Sequence, residues 1–257
     1  MIGWERNIVI KSQAEIAQMR AAGRVNALAL AAVQEAARPG VTTGELDAVA
    51  AEIIRKHNGK PAFLGVMGAY PYPATITVSI NDELVHGIPG KRKLKEGDIL
   101  SIDCGTILDG FVADSAFSMG IGNISPEAKR LLDVTEQSLS IGIAQLKDGN
   151  RIGDVGFAIQ QFVEGQGYHL TREYTGHGVG RAMWEGPQVP NYGIKSRGQV
   201  LRTGMTIALE PMVLVGTQRT KVLADQWTVA SADGSLTAHF EHTVAITDGE
   251  PLILTVI

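Results

Sequence analysis

Apolar residues recur every three or four positions in four segments of the chain, and this spacing predicts four amphipathic helices. Ser12 and Glu15 have the spacing of a capping box, which indicates where the first helix begins. Ser125 followed by Pro126 opens the third helix, as N-cap and first helical residue. The predicted helices span about 12–38, 43–56, 125–148 and 154–164.

Between the second and third helices the pattern changes to alternation, which predicts strands at 75–80, 98–104 and 111–119. Asp109-Gly110 is a two-residue hairpin turn between the last two strands. Counting back from this turn places Gly105 opposite Asp114. Asp103 and Asp114 are then diagonal neighbours on one face of the sheet, within reach of each other.

Two pairs of segments resemble each other at nearly the same separation, which indicates an internal duplication. Leu94 to Asp103 and Leu201 to Glu210, 107 positions apart, each contain Leu, a cation, Gly and an apolar strand ending in a carboxylate. Gly40 and Gly149, 109 positions apart, open two further similar segments. We therefore predict an α+β fold with two similar halves, about 12–120 and 121–257, in one domain spanning 1–257.

Composition and charge exclude several classes of protein. The apolar fraction of 44% and the net charge of -4 are those of a folded chain, and the mild acidic excess argues against an obligate nucleic-acid binder. One cysteine cannot form an internal disulfide. Met1 to Arg6 has no apolar signal region, and no run of ~18 apolar residues occurs. We expect a soluble, cytoplasmic protein that does not bind a membrane.

Four carboxylates lie in strongly apolar strand segments: Asp103, Asp114, Glu210 and Glu241. If they converge in a buried site, each close pair repels by about 4 kcal/mol at an effective dielectric constant of about 20, so protonation or cations must relieve the repulsion. His177, in a Gly-rich loop, is a candidate imidazole ligand. Oxygen ligands with one imidazole suit Mn, Fe, Co or Zn. In the alternative interpretation, one aspartate is solvated and the other closes a turn.

Five motifs in this order and spacing resemble type I methionine aminopeptidases, over nearly the whole chain. They are Asn81 to Pro89, the pair Asp103 and Asp114 eleven positions apart, Gly176 to Gly180, Gly204 to Pro211, and Glu241 to Thr243. The resemblance implies the pita-bread fold, which has two pseudo-symmetric α+β halves around a central antiparallel sheet. It also implies a dinuclear metal hydrolase that removes the initiator methionine from nascent proteins.

The resemblance also assigns roles to individual residues. The ligands of two divalent metal ions (Co, Mn, Fe or Zn) fall on Asp103, Asp114, His177, Glu210 and Glu241. Glu210 would also move a proton from the metal-bound water to the leaving amine, and His86 would bind the substrate and stabilise the tetrahedral species. Tyr72 and Trp227 match the usual members of the methionine pocket. Other pocket positions fall near Val66, Ala69, Thr77 and Met183.

Trp184 departs from the pattern of the family. Its position, seven residues after His177, usually carries a second His that contacts the substrate. An indole can donate one hydrogen bond but can neither accept one nor carry charge. Losing such a polar group typically lowers the rate of acyl transfer about 10²–10³-fold. The metal site should be unaffected, because the replaced His is not a ligand.

Two alternatives to methionine removal remain. One is a pita-bread aminopeptidase of altered specificity or reduced activity, acting on X-Pro or other N-termini, although the short chain argues against prolidase and aminopeptidase P. The other is a non-catalytic peptide-binding module, which generally loses metal ligands. The expected partners are nascent polypeptide N-termini, with transient ribosome contact left open, no nucleic acid required, and a monomeric chain.

Overall fold

The computed structural model describes residues 7–257. Residues 1–6, where the sequence predicts no signal peptide, lie outside the described residues. Across the described part of the chain, none of the helices combines the length and the apolar character that a membrane crossing requires.

Residues 7–257 form four helices and fifteen strands. The helices are α1 Gln13–Ala36, α2 Thr43–Lys56, α3 Pro126–Ile143 and α4 Ile152–Gly165. The strands are β1 Lys60–Pro61, β2 Ile76–Ile80, β3 Glu83–Val85, β4 Ile99–Leu108, β5 Phe111–Gly120, β6 His169–Leu170, β7 Gly176–Gly178, β8 Glu185–Val189, β9 Thr206–Leu209, β10 Met212–Leu214, β11 Thr220–Val222, β12 Val229–Ser231, β13 Thr237–His239, β14 Glu241–Ala245 and β15 Leu252–Ile253.

The helix starts follow from their capping residues. The Ser12 hydroxyl accepts a hydrogen bond from the Glu15 N–H, and the Glu15 carboxylate accepts one from the Ser12 N–H, so the predicted capping box is confirmed. Ser125 caps α3 as expected. The predicted end of α3 near residue 148 is wrong. The helix ends at Ile143, and tighter turns follow that bring Leu146 into the core, where its side chain is fully buried.

The predicted hairpin is confirmed with its register. Asp109 and Gly110 have φ angles of 50° and 80°, the left-handed conformation that a type I′ turn requires at both positions. Gly105 pairs with Asp114, as the sequence predicted. The hairpin lies in a nine-stranded sheet, in which β1, β4, β5, β14, β9, β7 and β8 are neighbours in that order, β2 pairs with β4 and β15 pairs with β14.

Both helix pairs pack against the same face of this sheet. Cys104 of β4 is buried in a cluster with apolar residues of α1 and α2, and Val244 of β14 is buried in a second cluster with residues of α3 and α4. Side chains alternate along a strand, so Asp103, next to Cys104, points to the opposite face. The helices therefore cover one side of the sheet, and the carboxylates gather on the other.

Candidate metal centre and substrate pocket

Asp103 and Asp114 are held together by the β4–β5 hairpin. Both are buried, and the backbone of Asp114 is fixed from the neighbouring strand β14. There the Thr243 hydroxyl accepts a hydrogen bond from the Asp114 N–H (2.9 Å) and donates one to the Asp114 carbonyl (2.8 Å). The hairpin thus presents two carboxylates to one point.

Strands of the second half of the chain bring the other two carboxylates to the same cavity. Glu241 begins β14 opposite Ala116 of β5, so its side chain reaches the hairpin. Glu210 directly follows strand β9, and β9 pairs with β14. The backbone carbonyl of Glu210 accepts a hydrogen bond from Asn191 Nδ2 (2.8 Å). All four carboxylates line one cavity.

His177 on β7 completes the group. Its Nδ1 lies 2.9 Å from the carbonyl of Gly178. Since a carbonyl only accepts, Nδ1 carries the proton and Nε2 carries the lone pair. Nε2 lies 3.8 Å from Asp114 Oδ2 and 3.7 Å from Glu210 Oε1. The imidazole therefore faces the carboxylates in the tautomer that can bind a metal.

Burial dominates the electrostatics of these groups. It raises the pKa of Asp103 to about 7, and burial together with the neighbouring negative charges raises the pKa of Asp114, Glu210 and Glu241 well above their usual range. Burial lowers the pKa of His177 to about 4 and leaves its ring neutral. Burial thus favours the neutral form of each of these groups.

The group fits a divalent cation. One ligand atom each from Asp114, His177 and Glu241 lie within 4.8 Å of one another. Oxygen atoms of three carboxylates are buried with no hydrogen-bond partner: Asp103 Oδ1, Asp114 Oδ1 and Glu241 Oε1. Buried polar atoms are normally paired, so unpaired carboxylate oxygens around one point indicate a missing positive charge.

An apolar pocket opens beside the carboxylates, within a cavity of about 400 Å³. Tyr72 is buried, and its hydroxyl donates to the carbonyls of Ile76 and Gly87. Trp227 packs edge-on against Tyr72, with ring centres 5.1 Å apart. Of the other pocket positions that the sequence suggested, Val66, Thr77 and Met183 line the cavity. Ala69 is exposed on the surface.

His86 lines the same cavity as the pocket residues and the carboxylates. Its φ of 62° is in the left-handed region, an uncommon conformation for a residue with a side chain. The ring lines the cavity and packs edge-on against Tyr174 and Trp227. Burial lowers its pKa to about 4, so the neutral ring can donate one hydrogen bond and accept another.

Trp184 lies at the mouth of the same cavity. Its ring centre is 6.4 Å from that of His177, and 43% of the residue is exposed. The indole is therefore near the candidate ligands yet open to solvent.

His239 is a further residue of the site, which no sequence motif indicated. This residue is 2% exposed, and its Nε2 has no hydrogen-bond partner. Nε2 lies 3.8 Å from Glu210 Oε2 and 4.0 Å from Glu241 Oε2. Its position two residues before Glu241 was a signal that could have found it, because alternate residues of an extended segment share a face.

Comparison with known proteins identifies the family. The sequence profile of metallopeptidase family M24 matches residues 17–248. The chain belongs to this family. A methionine aminopeptidase from Clostridium perfringens is 47% identical over 250 residues, covering 97% of this chain and 99% of the relative. Methionine aminopeptidase 1 of Bacillus subtilis is also 47% identical, over 248 residues, covering 96% of this chain and 99% of the relative.

Similarity to solved structures confirms the predicted fold. The crystal structure of methionine aminopeptidase from Thermotoga maritima matches with a TM-score of 0.94 at 44% identity, covering 97% of this chain and all of that one. Prolidase from Pyrococcus furiosus matches with a TM-score of 0.78 at 20% identity, which shows the fold alone; the match covers 97% of this chain and 66% of that one. The pita-bread fold inferred from the resemblance is therefore correct.

Proposed function

We propose that this member of family M24 is a methionine aminopeptidase that removes the initiator methionine from nascent proteins. One observation supports this proposal most strongly: an apolar, aromatic pocket and a cluster of four carboxylates and one imidazole line the same cavity. The names of the relatives at 47% identity support the same activity.

Asp103, Asp114, His177, Glu210 and Glu241 would hold two divalent ions, drawn from Co, Mn, Fe and Zn. Three unpaired carboxylate oxygens and a metal-competent imidazole tautomer support this ligand set. When bound, such ions polarise the scissile carbonyl and lower the pKa of a coordinated water.

The remaining roles fall to side chains of the chain itself. Tyr72 and Trp227 would enclose the methionine side chain, since a thioether packs well against aromatic rings. The neutral His86 ring would donate a hydrogen bond to the developing oxyanion or orient the substrate. The Glu210 carboxyl, whose pKa is raised by burial, would carry a proton to the leaving amine.

The proposed partners are N-termini of nascent chains, with transient contact with the ribosome. We further propose a monomer that acts in the cytoplasm without nucleic acid or membrane. The chain has 23 Lys+Arg and 27 Asp+Glu, so it lacks the excess of basic residues that nucleic-acid binding usually requires.

A hydrolysis assay tests the proposal. The protein is freed of metal by chelation, reloaded with Mn, Fe, Co or Zn in turn, and incubated with Met-Ala-Ser and with X-Pro peptides. We expect release of free methionine from Met-Ala-Ser with at least one metal. Cleavage of the X-Pro peptides alone would instead support an aminopeptidase of altered specificity. Failure to cleave any peptide and to bind any metal would support a peptide-binding module.

Trp184 favours a second version of the proposal, in which the activity is reduced. The indole occupies a place where the resemblance expects a polar imidazole, 6.4 Å from the His177 ring. We expect Trp184→His to raise turnover on Met-Ala-Ser at least about tenfold. An unchanged or lower turnover in steady-state assays would mean that the site is built around the tryptophan.

A further inference from the structure

Two large apolar side chains stand exposed where the cavity opens to solvent. Trp184 is 43% exposed and Met67 is 73% exposed, and both line the cavity that holds the candidate metal ligands. Single exposed apolar residues are common on protein surfaces. Two that line the same cavity are different, because a peptide bound in this cavity can contact both.

The turn that carries Trp184 is held in place by a buried ion pair. Glu185 and Lys11 are 3% and 5% exposed and form a salt bridge. The Glu185 carboxylate also accepts hydrogen bonds from the N–H groups of Arg181 (2.8 Å) and Ala182 (3.2 Å). The indole therefore projects from an ordered turn, and binding a ligand against it would cost little additional conformational entropy.

The inner wall of the cavity fixes the direction in which a peptide would run. Met183, beside Trp184, packs into the cluster of Phe63, Tyr72 and Ala74 that closes the inner pocket. A peptide whose first residue is seated there would have its scissile bond beside the candidate ligands, and its later residues would follow the cavity outward, where Trp184 lines it. Two extended residues span about 7 Å, comparable with the 6.4 Å between the His177 and Trp184 rings.

We propose that Trp184, with Met67, forms an apolar subsite for the side chain of the third residue of the substrate. Large aliphatic or aromatic side chains at that position would lie on the exposed face of the indole, which removes apolar surface of both partners from water. The inference rests on the proposed aminopeptidase function and adds a substrate preference to it.

The test is a series of peptides Met-Ala-X, with X as Ser, Asp, Leu and Phe, measured with the metal-loaded enzyme. We expect kcat/KM to be about tenfold higher for Leu and Phe than for Ser, mainly through KM, because the contact is present in the ground state as well as in the transition state. Trp184→Ala should reduce this ratio to below about twofold, and Trp184→Phe should retain most of it.

Ile194→Ala is the matched control, since Ile194 is 70% exposed but does not line this cavity. This variant should keep the full ratio, and Met67→Ala should lose part of it. Equal kcat/KM across the series, or a ratio that survives Trp184→Ala, would overturn the subsite while leaving the aminopeptidase activity established. Absence of hydrolysis for every peptide would overturn both proposals.

Discussion

At the scale of single residues, the site depends on charges that the protein alone does not neutralise. Asp114 interacts with three other members of this cluster: Asp103 and Glu241 both raise its pKa, and His177 lies 3.8 Å away. Its Oδ1 is buried without a partner. A bound cation would satisfy these atoms together, so the residue should matter more for metal binding than for folding.

Asp114→Asn should therefore abolish both metal binding and hydrolysis. The amide keeps the shape of the side chain but loses the charge that a divalent ion requires. Metal content by elemental analysis and hydrolysis of Met-Ala-Ser measure the two effects. Asp109→Asn, in the exposed hairpin turn, is the control and should change neither. Retained hydrolysis in Asp114→Asn would contradict the ligand assignment.

His239 is not among the proposed metal ligands, so substituting it tests whether a neighbouring ring orients the Glu210 carboxylate. Its backbone is held by Ser118, whose hydroxyl donates to the His239 carbonyl (2.8 Å) and accepts from its N–H (2.9 Å). The ring is thereby aimed at Glu210. Groups that orient metal-binding carboxylates typically contribute about 10–100-fold in affinity or activity.

We expect His239→Ala to lower metal affinity and kcat about 10–100-fold with little change in KM. His239→Gln retains an N–H that can reach a carboxylate and should restore most of the loss. Calorimetric metal titration and steady-state kinetics separate the two effects. If both variants behave alike, the ring fills space in the core and does not orient Glu210.

At the scale of elements, short sequence motifs correctly predicted the features that depend on neighbouring residues, namely the hairpin register and the helix starts. The Asp109-Gly110 turn set the register of the β4–β5 hairpin, and capping residues set the helix starts. The end of α3 could not be read in this way, because burial of Leu146 in the tertiary core determines it. Convergence of His177 and Glu241 on the hairpin rested on the resemblance, since no sequence spacing specifies which distant strands become neighbours.

Asn26 joins a helix to the β4–β5 hairpin, and no sequence pattern predicted this contact. In the Ala-rich helix α1, its Nδ2 donates to the carbonyls of Cys104 (2.6 Å) and Ala113 (3.2 Å), one on each strand of the hairpin. These carbonyls belong to the residues next to Asp103 and Asp114. The asparagine therefore ties the helix layer to the part of the sheet that carries the candidate ligands.

Asn26→Leu should lower the free energy of unfolding by about 1–3 kcal/mol, because it removes two buried hydrogen bonds between the helix and the hairpin while keeping a side chain of similar size. Denaturant unfolding measures this change. Gln34→Leu makes a similar polar-to-apolar change at an exposed position of α1 and should stay within about 0.5 kcal/mol of the parent protein. Equal stability of the two variants would show that the Asn26 contacts contribute nothing.

At the scale of the whole molecule, the fold concentrates negative charge in one place and leaves the surface nearly balanced. The formal net charge is -4, and four carboxylates line the site cavity. Two divalent cations would cancel that net charge. Folding thus brings together groups that repel one another, and the metal-free protein should be less stable than the metal-loaded one.

The stabilisation by metal should depend on pH in a defined direction. The raised pKa values of Asp103, Asp114, Glu210 and Glu241 mean that the folded, metal-free protein holds more protons than the unfolded chain above pH ~4. These groups therefore favour folding less as the pH rises through their folded pKa values, about 7 for Asp103. A cation must displace those protons, so metal binding is weak in acid and strengthens towards neutrality. The neutral His177 does not oppose this trend, because its pKa of about 4 keeps the ring unprotonated.

We expect excess Mn or Co to raise the melting temperature by about 5–10 °C at about pH 8, where roughly 100-fold excess over Kd contributes about 2.7 kcal/mol. At about pH 5 the rise should be small, because protons occupy the same carboxylates. Thermal unfolding with chelator and with metal, at both pH values, measures the difference. Asp114→Asn should show no metal-dependent rise at either pH, which separates binding at this site from binding elsewhere. A rise of equal size at both pH values would contradict the linkage between these carboxylates and the metal.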